Sequence, residues 1–470
     1  MAIVQTTRRT ALGAGLLAPL IPGLAIAKPF PRKLVAPTAP FDMPSIGVPD
    51  FSRARRFVIT DFGADQGDQA KTSAAIAAAI TAANAAGAGV VVVPEGTWPT
   101  GKVHFKSNVA LHLAKGATLL FSEKPADYLP PVQTTWEGLE CWNYSPLVYA
   151  FDCENVAITG PGRLKAKLDV WREWYKRPKP HMDALVVLYH QAARGEPVDQ
   201  RRMTGGEANL RPQFIQFNRC RHVLVEDVSI EDSPFWVIHP FLCADVVIRR
   251  VKIRAHGHNN DGVDPEMSQN VLIEDCVFDQ GDDAVSVKSG RDQDAWRLGV
   301  PTRNVVMRDC QIRNGHQLMA VGSELSAGIE NVFVDNCHFT GDGPRGNGGV
   351  DGWAVPIANL LFVKTNERRG GFVRGIHMRN VSATKIAGSV LAVDTDVLYQ
   401  WRTLVPTYER RLTAIEGLRV SDVRVAQAGS ICSIKGEKDL PVRDVRLRRV
   451  TAGKVAGPVT TENVAGFSTD

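Results

Sequence analysis

The residue types that donate and accept protons concentrate in three short stretches of the chain. Their ionisable side chains are those of Asp261, Asp264, Asp282, Asp283 and His316. Carboxylates that share one patch repel each other, so at least one of them should have a raised pKa. Acid and base hydrolysis of a glycosidic bond requires one protonated and one ionised carboxyl group. A lone Asp beside a glycine is more simply explained as a turn between strands, so the prediction depends on the stretches meeting.

The spacing of these residues predicts that they meet. Asp282 follows Asn270 by 12 residues, and His316 follows Asn304 by the same 12 residues. Asp261 precedes Asp282 by 21 residues, which is close to one turn of the repeat described next. Stacked turns of chain lie about 4.8 Å apart. We therefore expect the aspartates and His316 to converge on one outer face.

A repeated phrase supplies that period. It consists of a turn residue followed by alternating apolar residues, and its copies begin at Asn155, His222, Asp245, Asn270, Asn304, Asn331, Gly375, Gly417 and Asp444. The steps from 222 to 245, 270, 304 and 331 are 23, 25, 34 and 27 residues. One copy is too short to bury its own apolar face, so the copies must stack. β-Propellers have longer periods, and the leucine-rich consensus is absent.

The predicted fold is therefore all-β, a single-stranded right-handed parallel β-helix with a short N-terminal capping helix. Ser73 is the expected cap of a helix over 74–88, and strands are expected at 90–93, 109–113 and 118–121. The Pro-rich residues 28–56 form an extended arm, and residues 57–470 form the catalytic solenoid. Residues 168–212 and 341–358 are interpreted as loops off the solenoid, and no second domain is needed.

Residues 1–27 have the features of a targeting segment. The paired arginines Arg8 and Arg9 precede an apolar stretch, and residues 25–27 read Ala-Ile-Ala, a small-x-small cleavage pattern. The pair is similar to a bacterial twin-arginine signal. We therefore expect an exported protein, periplasmic or extracellular, with no membrane-spanning segment after residue 28.

Composition excludes some partners. The charged fraction is 22% and the formal net charge is +5, with Lys and Arg dispersed along the chain. A nucleic-acid binder usually carries a basic stripe, so no nucleic-acid partner is expected. Eight cysteines include no C-x-x-C pair, and Cys276, Cys310 and Cys337 share one repeat position. We therefore expect stacked, buried thiols, no metal, no cofactor and a monomer.

The acidic stretches resemble glycoside hydrolase family 28, the polygalacturonases, over roughly residues 57–400. The family motif N-T-D-G-x-D corresponds to 259–264, G-D-D to 281–283, and G-H-G to 315–317, where Gln317 replaces the second glycine. Residues 233–236 and 287–292 also match phrases of bacterial members. The resemblance implies an inverting hydrolase of pectic polysaccharide. By analogy Asp282 is the general acid, Asp261 and Asp283 activate water, and His316 relays the proton.

The resemblance also implies substrate-binding residues. These are Asn259, Asp264, Lys288 and Lys364. Trp236 and His239 lie one coil before Asp261 and are further predicted sugar contacts. The family's R-I-K becomes Phe362-Val363-Lys364, so its arginine is lost. Arg368 and Arg369 are the predicted replacements, because a guanidinium grips a carboxylate bidentately.

Three functions stay open once this resemblance is taken into account. The favoured one is metal-independent hydrolysis of α-1,4 galacturonosyl linkages, with exo action expected if loops close one end of the cleft. Rhamnogalacturonan or substituted pectin is an alternative substrate. A Ca²⁺-dependent pectate lyase, with clustered carboxylates as ligands, and a non-catalytic glycan-binding solenoid are the other two functions.

Overall fold

A computed structural model of the protein describes residues 30–205, 208–343, 357–397 and 409–470. The targeting segment and most of the predicted loop 341–358 lie outside the described residues. Successive turns of chain stack in register as a right-handed parallel β-helix, which confirms the predicted fold class. Each full turn contributes strands to three rows, here called rows A, B and C.

Row A contains the predicted repeat. Its strands are Arg55–Val58, Gly89–Val93, Val109–Leu113, Glu154–Thr159, Arg221–Glu226, Ala244–Arg249, Gln269–Glu274, Thr302–Arg308, Ile329–Asp335, the first parts of Phe372–Lys385, Ala414–Ala428 and Val442–Val455, and Val464–Thr469. The predicted repeat starts all have positive φ, from 52° to 72°. Asn side chains at these positions bond to each other between turns, as Asn304 donates to Asn270 at 3.1 Å. Asn, Asp and Gly tolerate this conformation best, which explains the repeating turn residue.

Row B follows row A in each turn. Its strands are Gly96–Thr100, Ala117–Phe121, Arg163–Ala166, Ser229–Glu231, Lys252–Ala255, Val277–Gln280, Gln311–Asn314, His338–Phe339 and the second parts of the three long strands. Row C comprises Val103–His104, Val148–Phe151, Ile215–Asn218, Ile238–Phe241, Val285–Val287, Gln317–Gly322, Asn359–Lys364, Ser389–Asp394, Ser430–Lys435 and Thr460–Glu462. Single bridges at Val263 and Glu266 join the two sheets of row C.

Val, Ile, Leu and Cys side chains from the rows fill the interior in one continuous core. All eight cysteines are free and buried, which confirms the expected thiols. Cys276, Cys310 and Cys337 are neighbours in the stack, and burial raises the pKa of the Cys310 thiol far above its usual range.

In the described part of the chain, four α-helices lie outside the rows: α1 Gln69–Ala85, α2 Asp169–Tyr175, α3 Lys179–Ala193 and α4 Asp292–Leu298. Short 3-10 turns occur at Ile59–Phe62, Pro125–Tyr128 and Val198–Gln200. Helix α1 covers the first turns as predicted, but its cap is Asp68, whose side chain accepts from the Lys71 N–H at 3.0 Å. Ser73 lies inside the helix and its hydroxyl accepts from Gly101 N, so the predicted cap was wrong. None of these helices is long and apolar enough to span a bilayer within the described ranges.

The region predicted as a loop over 168–212 instead contains α2 and α3. Helix α3 packs with the hairpin Val132–Trp136 and Leu139–Asn143 in a second, smaller core. That core reaches the solenoid through Phe235 and Trp236, and Trp136 stacks on Phe235 with ring centroids 4.2 Å apart. The excursion from the solenoid was predicted, but its helices were not, because contacts distant in sequence stabilise these elements.

The N-terminal arm forms a hairpin of Arg32–Val35 and Ile46–Pro49. Ile46 and Val48 are buried on an apolar stripe along the outside of row A, together with Val90, Ala110, Ala157, Leu224, Val247, Leu272, Val306 and Phe333. The arm thus shields one apolar outer face from water.

Candidate active site

The three acidic stretches occupy the turns that connect rows B and C, on adjacent coils. Asp282 and Asp283 follow the strand Val277–Gln280, and His316 follows Gln311–Asn314 one coil later. The backbone N–H of His316 donates to the carbonyl of Asp282 at 2.9 Å, and that of Gly262 donates to Asp283 at 2.9 Å. The fold therefore brings Asp261, Asp282, Asp283 and His316 together.

Close packing of the backbone requires the glycine before this pair. A Cβ on Gly281 would lie 2.6 Å from the backbone nitrogen of Gly257 on the preceding coil. The glycine therefore lets the turn carrying Asp282 and Asp283 approach the turn carrying Asp261.

Asp282 and His316 form a charge-coupled pair. His316 Nδ1 lies 3.6 Å from Asp282 Oδ1 and 3.9 Å from Asp283 Oδ1. Burial alone raises the pKa of Asp282, but the hydrogen bond and charge of His316 and the charge of Lys364 lower it to about 2. Burial lowers the pKa of His316, yet the Asp282 hydrogen bond and the charges of Asp283 and Asp282 raise it overall. The shared proton therefore favours the imidazole of His316 over the carboxylate of Asp282.

Two lysines lie among the carboxylates. Lys364 Nζ donates to Asp283 Oδ2 at 2.8 Å. Lys288 Nζ lies 3.6 Å from both Asp261 Oδ2 and Asp264 Oδ1, and 4.5 Å from the centre of the Trp236 ring. Lys288, Gly322 and Lys364 align on consecutive coils of row C, where a side chain at Gly322 would collide with the Lys364 carbonyl at 2.2 Å.

Asp261 and Asp264 are the carboxyl groups with raised pKa. Burial is the largest cause for both, followed by the charge of Asp282 at Asp261 and the charge of Asp261 at Asp264. Lys288 opposes both shifts. The sequence predicted that at least one carboxyl group of the cluster has a raised pKa. In the structure the raised pKa values belong to Asp261 and Asp264, whereas that of Asp282 is lowered.

A small polar cavity of about 120 Å³ opens over the cluster. Its lining residues are Glu137, Trp236, His258, Asn259, Asp261, Asp282, Lys288, Arg291, His316, Ser323, Glu324 and Lys364. Of the predicted substrate-binding residues, Asn259, Lys288, Lys364 and Trp236 therefore line the cavity. Asn259 is held by Arg211, which donates to its side-chain oxygen at 3.0 Å.

Four other predicted contacts are corrected. Arg368 and Arg369 are each 1% exposed and bond to Asp292 at 2.9 and 2.8 Å, so their guanidinium groups are buried in the protein interior and do not line the cavity. His239 is 0% exposed and lies between Gln216 and Glu266. Asp264 is also 0% exposed and lies behind Asp261. None of the four lines the cavity.

Sequence reasoning missed one wall of the cavity, formed by Glu137, Arg291 and Glu324. Arg291 donates to Glu324 at 2.7 Å and to Glu137 at 3.0 Å, and it also bonds to the Tyr189 hydroxyl. Lys288 continues this chain, at 3.3 Å from Glu324. Arg291 belongs to the 287–292 phrase and had a sequence signal. Glu137, at the tip of the 132–143 hairpin, had none because only tertiary packing delivers it there.

Asp282, Asp283 and His316 also have ligand atoms within 4.8 Å of one another, an arrangement that suits a divalent cation. The lysine on Asp283 and the imidazole charge beside Asp282 oppose a second positive charge. The same three residues thus fit proton transfer better than metal binding.

Comparison with known proteins identifies the family. Residues 201–465, more than half of the chain, match the model of glycosyl hydrolases family 28. The chain belongs to this family of glycosidases. All three acidic stretches lie within the matched range, so the family's motifs coincide with the cavity described above.

Individual relatives are similar over most of this chain. A probable polygalacturonase of Vitis vinifera is 26% identical over 70% of this chain and 61% of its own length. An exo-poly-alpha-D-galacturonosidase of Dickeya chrysanthemi is 25% identical over 64% of this chain and 51% of its own. The chain thus spans about half to six-tenths of these two relatives.

Among solved structures, the exopolygalacturonase of Thermotoga maritima has a TM-score of 0.80 at 35% identity, covering 91% of this chain and 92% of its own. A family 28 exopolygalacturonase of Yersinia enterocolitica has a TM-score of 0.67 at 19% identity, covering 90% and 80%, and supports the fold.

Proposed function

We propose that the protein hydrolyses α-1,4 galacturonosyl linkages at chain ends of polygalacturonate or its oligosaccharides, with inversion. The observation that carries this proposal is the convergence of Asp261, Asp282 and His316 on one small cavity that also presents Lys288 and Lys364. The relatives named as polygalacturonases and exopolygalacturonases support the substrate class.

Asp282 delivers the proton to the leaving oxygen. The Asp282–His316 pair stores one proton, and it rests on the imidazole in the free enzyme. An entering sugar displaces water from the pair, and loss of hydration favours the neutral carboxylic acid. The imidazole proton of His316 therefore passes to Asp282, and Asp282 donates that same proton to the leaving oxygen as the bond between this oxygen and the anomeric carbon breaks.

Asp261, which lines the cavity, orients and deprotonates the attacking water, and Asp283, which is 0% exposed and outside the lining, supports this site through Lys364. Asp283 accepts from Lys364 at 2.8 Å, which keeps its charge compensated in the buried turn. Asp261 and Asp264 together retain one proton, and we place it on Asp264, which lies behind Asp261. Asp261 is then ionised and can take up the proton that the water releases. The new bond joins the water oxygen to the anomeric carbon on the face opposite the leaving group, which inverts its configuration.

The small volume of the cavity and the hairpin that forms one of its walls favour attack at a chain end. The hairpin tip at Glu137 and Gly138 docks on the backbone at 290–291, where Arg291 N donates to Gly138 O at 3.2 Å. The cavity of about 120 Å³ is below the ~300–1,000 Å³ of typical ligand sites. Arg291 supplies a cation in this wall and is our proposed substitute for the family arginine lost at Phe362.

We also propose that residues 1–27 direct export through a twin-arginine pathway and that residues 57–470 form a single catalytic unit acting as a monomer. Buried, reduced cysteines are compatible with export of a folded chain. The substrate would then be an acidic pectic saccharide outside the cytoplasm.

Product analysis tests the proposal directly. Purified protein is incubated with polygalacturonate and with rhamnogalacturonan, with and without chelator, and products are followed by mass and by viscosity. We expect saturated galacturonate or short oligomers from polygalacturonate, unaffected by chelator, with viscosity falling slowly relative to reducing ends. Unsaturated, chelator-sensitive products would show a lyase instead, and rapid viscosity loss would contradict exo action.

A further inference from the structure

A second polar surface lies on the C-terminal coils, outside the catalytic cavity. Ser382, Arg424 and Thr451 are paired in register on three consecutive coils of row B. All three side chains are exposed. Adjacent coils lie about 4.8 Å apart, so the row presents a hydroxyl, a guanidinium and a hydroxyl at regular intervals along the solenoid.

The guanidinium of Arg424 differs from its neighbours in its charge environment. Arg449 pairs with Asp422 at 2.6 and 2.7 Å, and Arg379 pairs with Asp335 at 2.8 Å. Within the described chain no carboxylate lies within 4.0 Å of Arg424. The same holds for three further exposed cations on these coils, which are Lys385, Arg448 and Lys454. The surface therefore carries surplus positive charge.

The surface is also concave. A groove of about 450 Å³ is lined by Asn380, Ser382, Asp422, Arg424, Arg449 and Thr451, together with Val381. The one carboxylate in the lining, Asp422, is neutralised by its bidentate bonds to Arg449.

We propose that this groove is a secondary binding site for anionic polysaccharide, with Arg424 taking a sugar carboxylate and Ser382 and Thr451 taking hydroxyls. The inference rests on the proposed function for the identity of the polymer as polyuronate. Arg424 lies four coils from the strand Val277–Gln280 that leads into Asp282, about 19 Å along the axis. Such a site would hold a long chain near the cavity without touching the bond that is cleaved.

The test is affinity electrophoresis in gels containing polygalacturonate or neutral starch, with turnover measured on polygalacturonate and on trigalacturonate. We expect Arg424→Glu to weaken retardation by polygalacturonate about threefold to tenfold and to raise KM for the polymer. Its turnover of trigalacturonate should match that of the unsubstituted protein. The control is Arg221→Glu, the same charge change at an exposed arginine of row A.

Equal retardation of Arg424→Glu and the unsubstituted protein would overturn the site, as would equal weakening by Arg221→Glu. If Arg424→Glu unfolds, Arg424→Gln and the double variant Ser382→Ala with Thr451→Ala answer the same question under the same criteria. Failure of the proposed function is distinguishable: polymer binding would depend on Arg424 while no galacturonide is cleaved.

Discussion

Two buried charge clusters lie close together in this protein and are built differently. In the Asp292 cluster, both carboxylate oxygens of Asp292 accept from arginines, Arg368 at 2.9 Å and Arg369 at 2.8 Å. In the aspartate cluster of Asp261, Asp264, Asp282 and Asp283, carboxylates outnumber the lysines. No hydrogen bond within 3.5 Å reaches either carboxyl oxygen of Asp264 or Oδ1 of Asp283 among the described residues.

The difference between the two clusters distinguishes buried charges that stabilise the fold from buried charges that suit proton transfer. A buried carboxylate with every oxygen bonded to a cation stabilises one arrangement and does not readily change protonation. In the aspartate cluster, carboxylates outnumber the lysines beside the cavity, so protons can move between them. The pKa of Asp261 is raised, whereas the pKa of Asp282 is lowered. Perturbed pKa values of this kind gather at functional sites.

The largest expected effect is the loss of activity in Asp282→Asn. The amide keeps the shape of the side chain but has no transferable proton, so kcat should fall about 10²–10⁴-fold. Binding of polygalacturonate should be retained, and the urea midpoint should shift little. Asp275→Asn, an exposed carboxylate on the same coil, is the matched control and should keep full activity. Near-normal turnover by Asp282→Asn would remove the mechanism.

The Asp292 cluster should respond in the opposite way. Asp292→Asn removes the carboxylate charge that the buried guanidinium groups of Arg368 and Arg369 share, and the free energy of unfolding should fall by about 3–5 kcal/mol. Because Asp292 is absent from the cavity lining, kcat per folded molecule should change much less than in Asp282→Asn. Urea unfolding and active-site titration measure the two quantities. A large fall in kcat at unchanged stability would erase the distinction between the clusters.

The contrast also explains what the sequence predicted and what it did not. Repeat starts such as Asn270 and Asn304 fix the register, and register alone places Asp282 beside His316. Arg368 and Arg369 were misassigned because their partner, Asp292, lies 76 and 77 residues away in sequence and burial is not a local property. Glu137 and the helices within 168–212 escaped prediction for the same reason, since long-range packing creates their environment.

The pH dependence of activity should sharpen the role of His316. Its pKa is raised, so the proton shared with Asp282 is present below the usual value of 6.5 and is lost as pH rises through the higher folded value. The alkaline limb of kcat/KM, which reports the free enzyme, should therefore lie above pH 6.5. In His316→Gln the charge that lowers the pKa of Asp282 is gone, and the limb should move to the pKa of Asp282 itself. A pH-rate profile of both proteins checks this, and identical alkaline limbs would contradict the relay.

The smallest expected effect is on stability, at Asp264. Its folded pKa is raised above 3.8 by burial and by Asp261, so folding takes up a proton and stability falls as pH rises from the unfolded value through the folded one. Asn cannot titrate, so Asp264→Asn should remove part of that decline, which amounts to about 1.4 kcal/mol for each pH unit by which folding raises the pKa. Urea unfolding from pH 4 to 8 measures it, with exposed Asp275→Asn as the control. Parallel stability curves for the unsubstituted protein and Asp264→Asn would mean that Asp264 is ionised in the fold, and the proton assigned to the pair behind the cavity would have to be placed on Asp261.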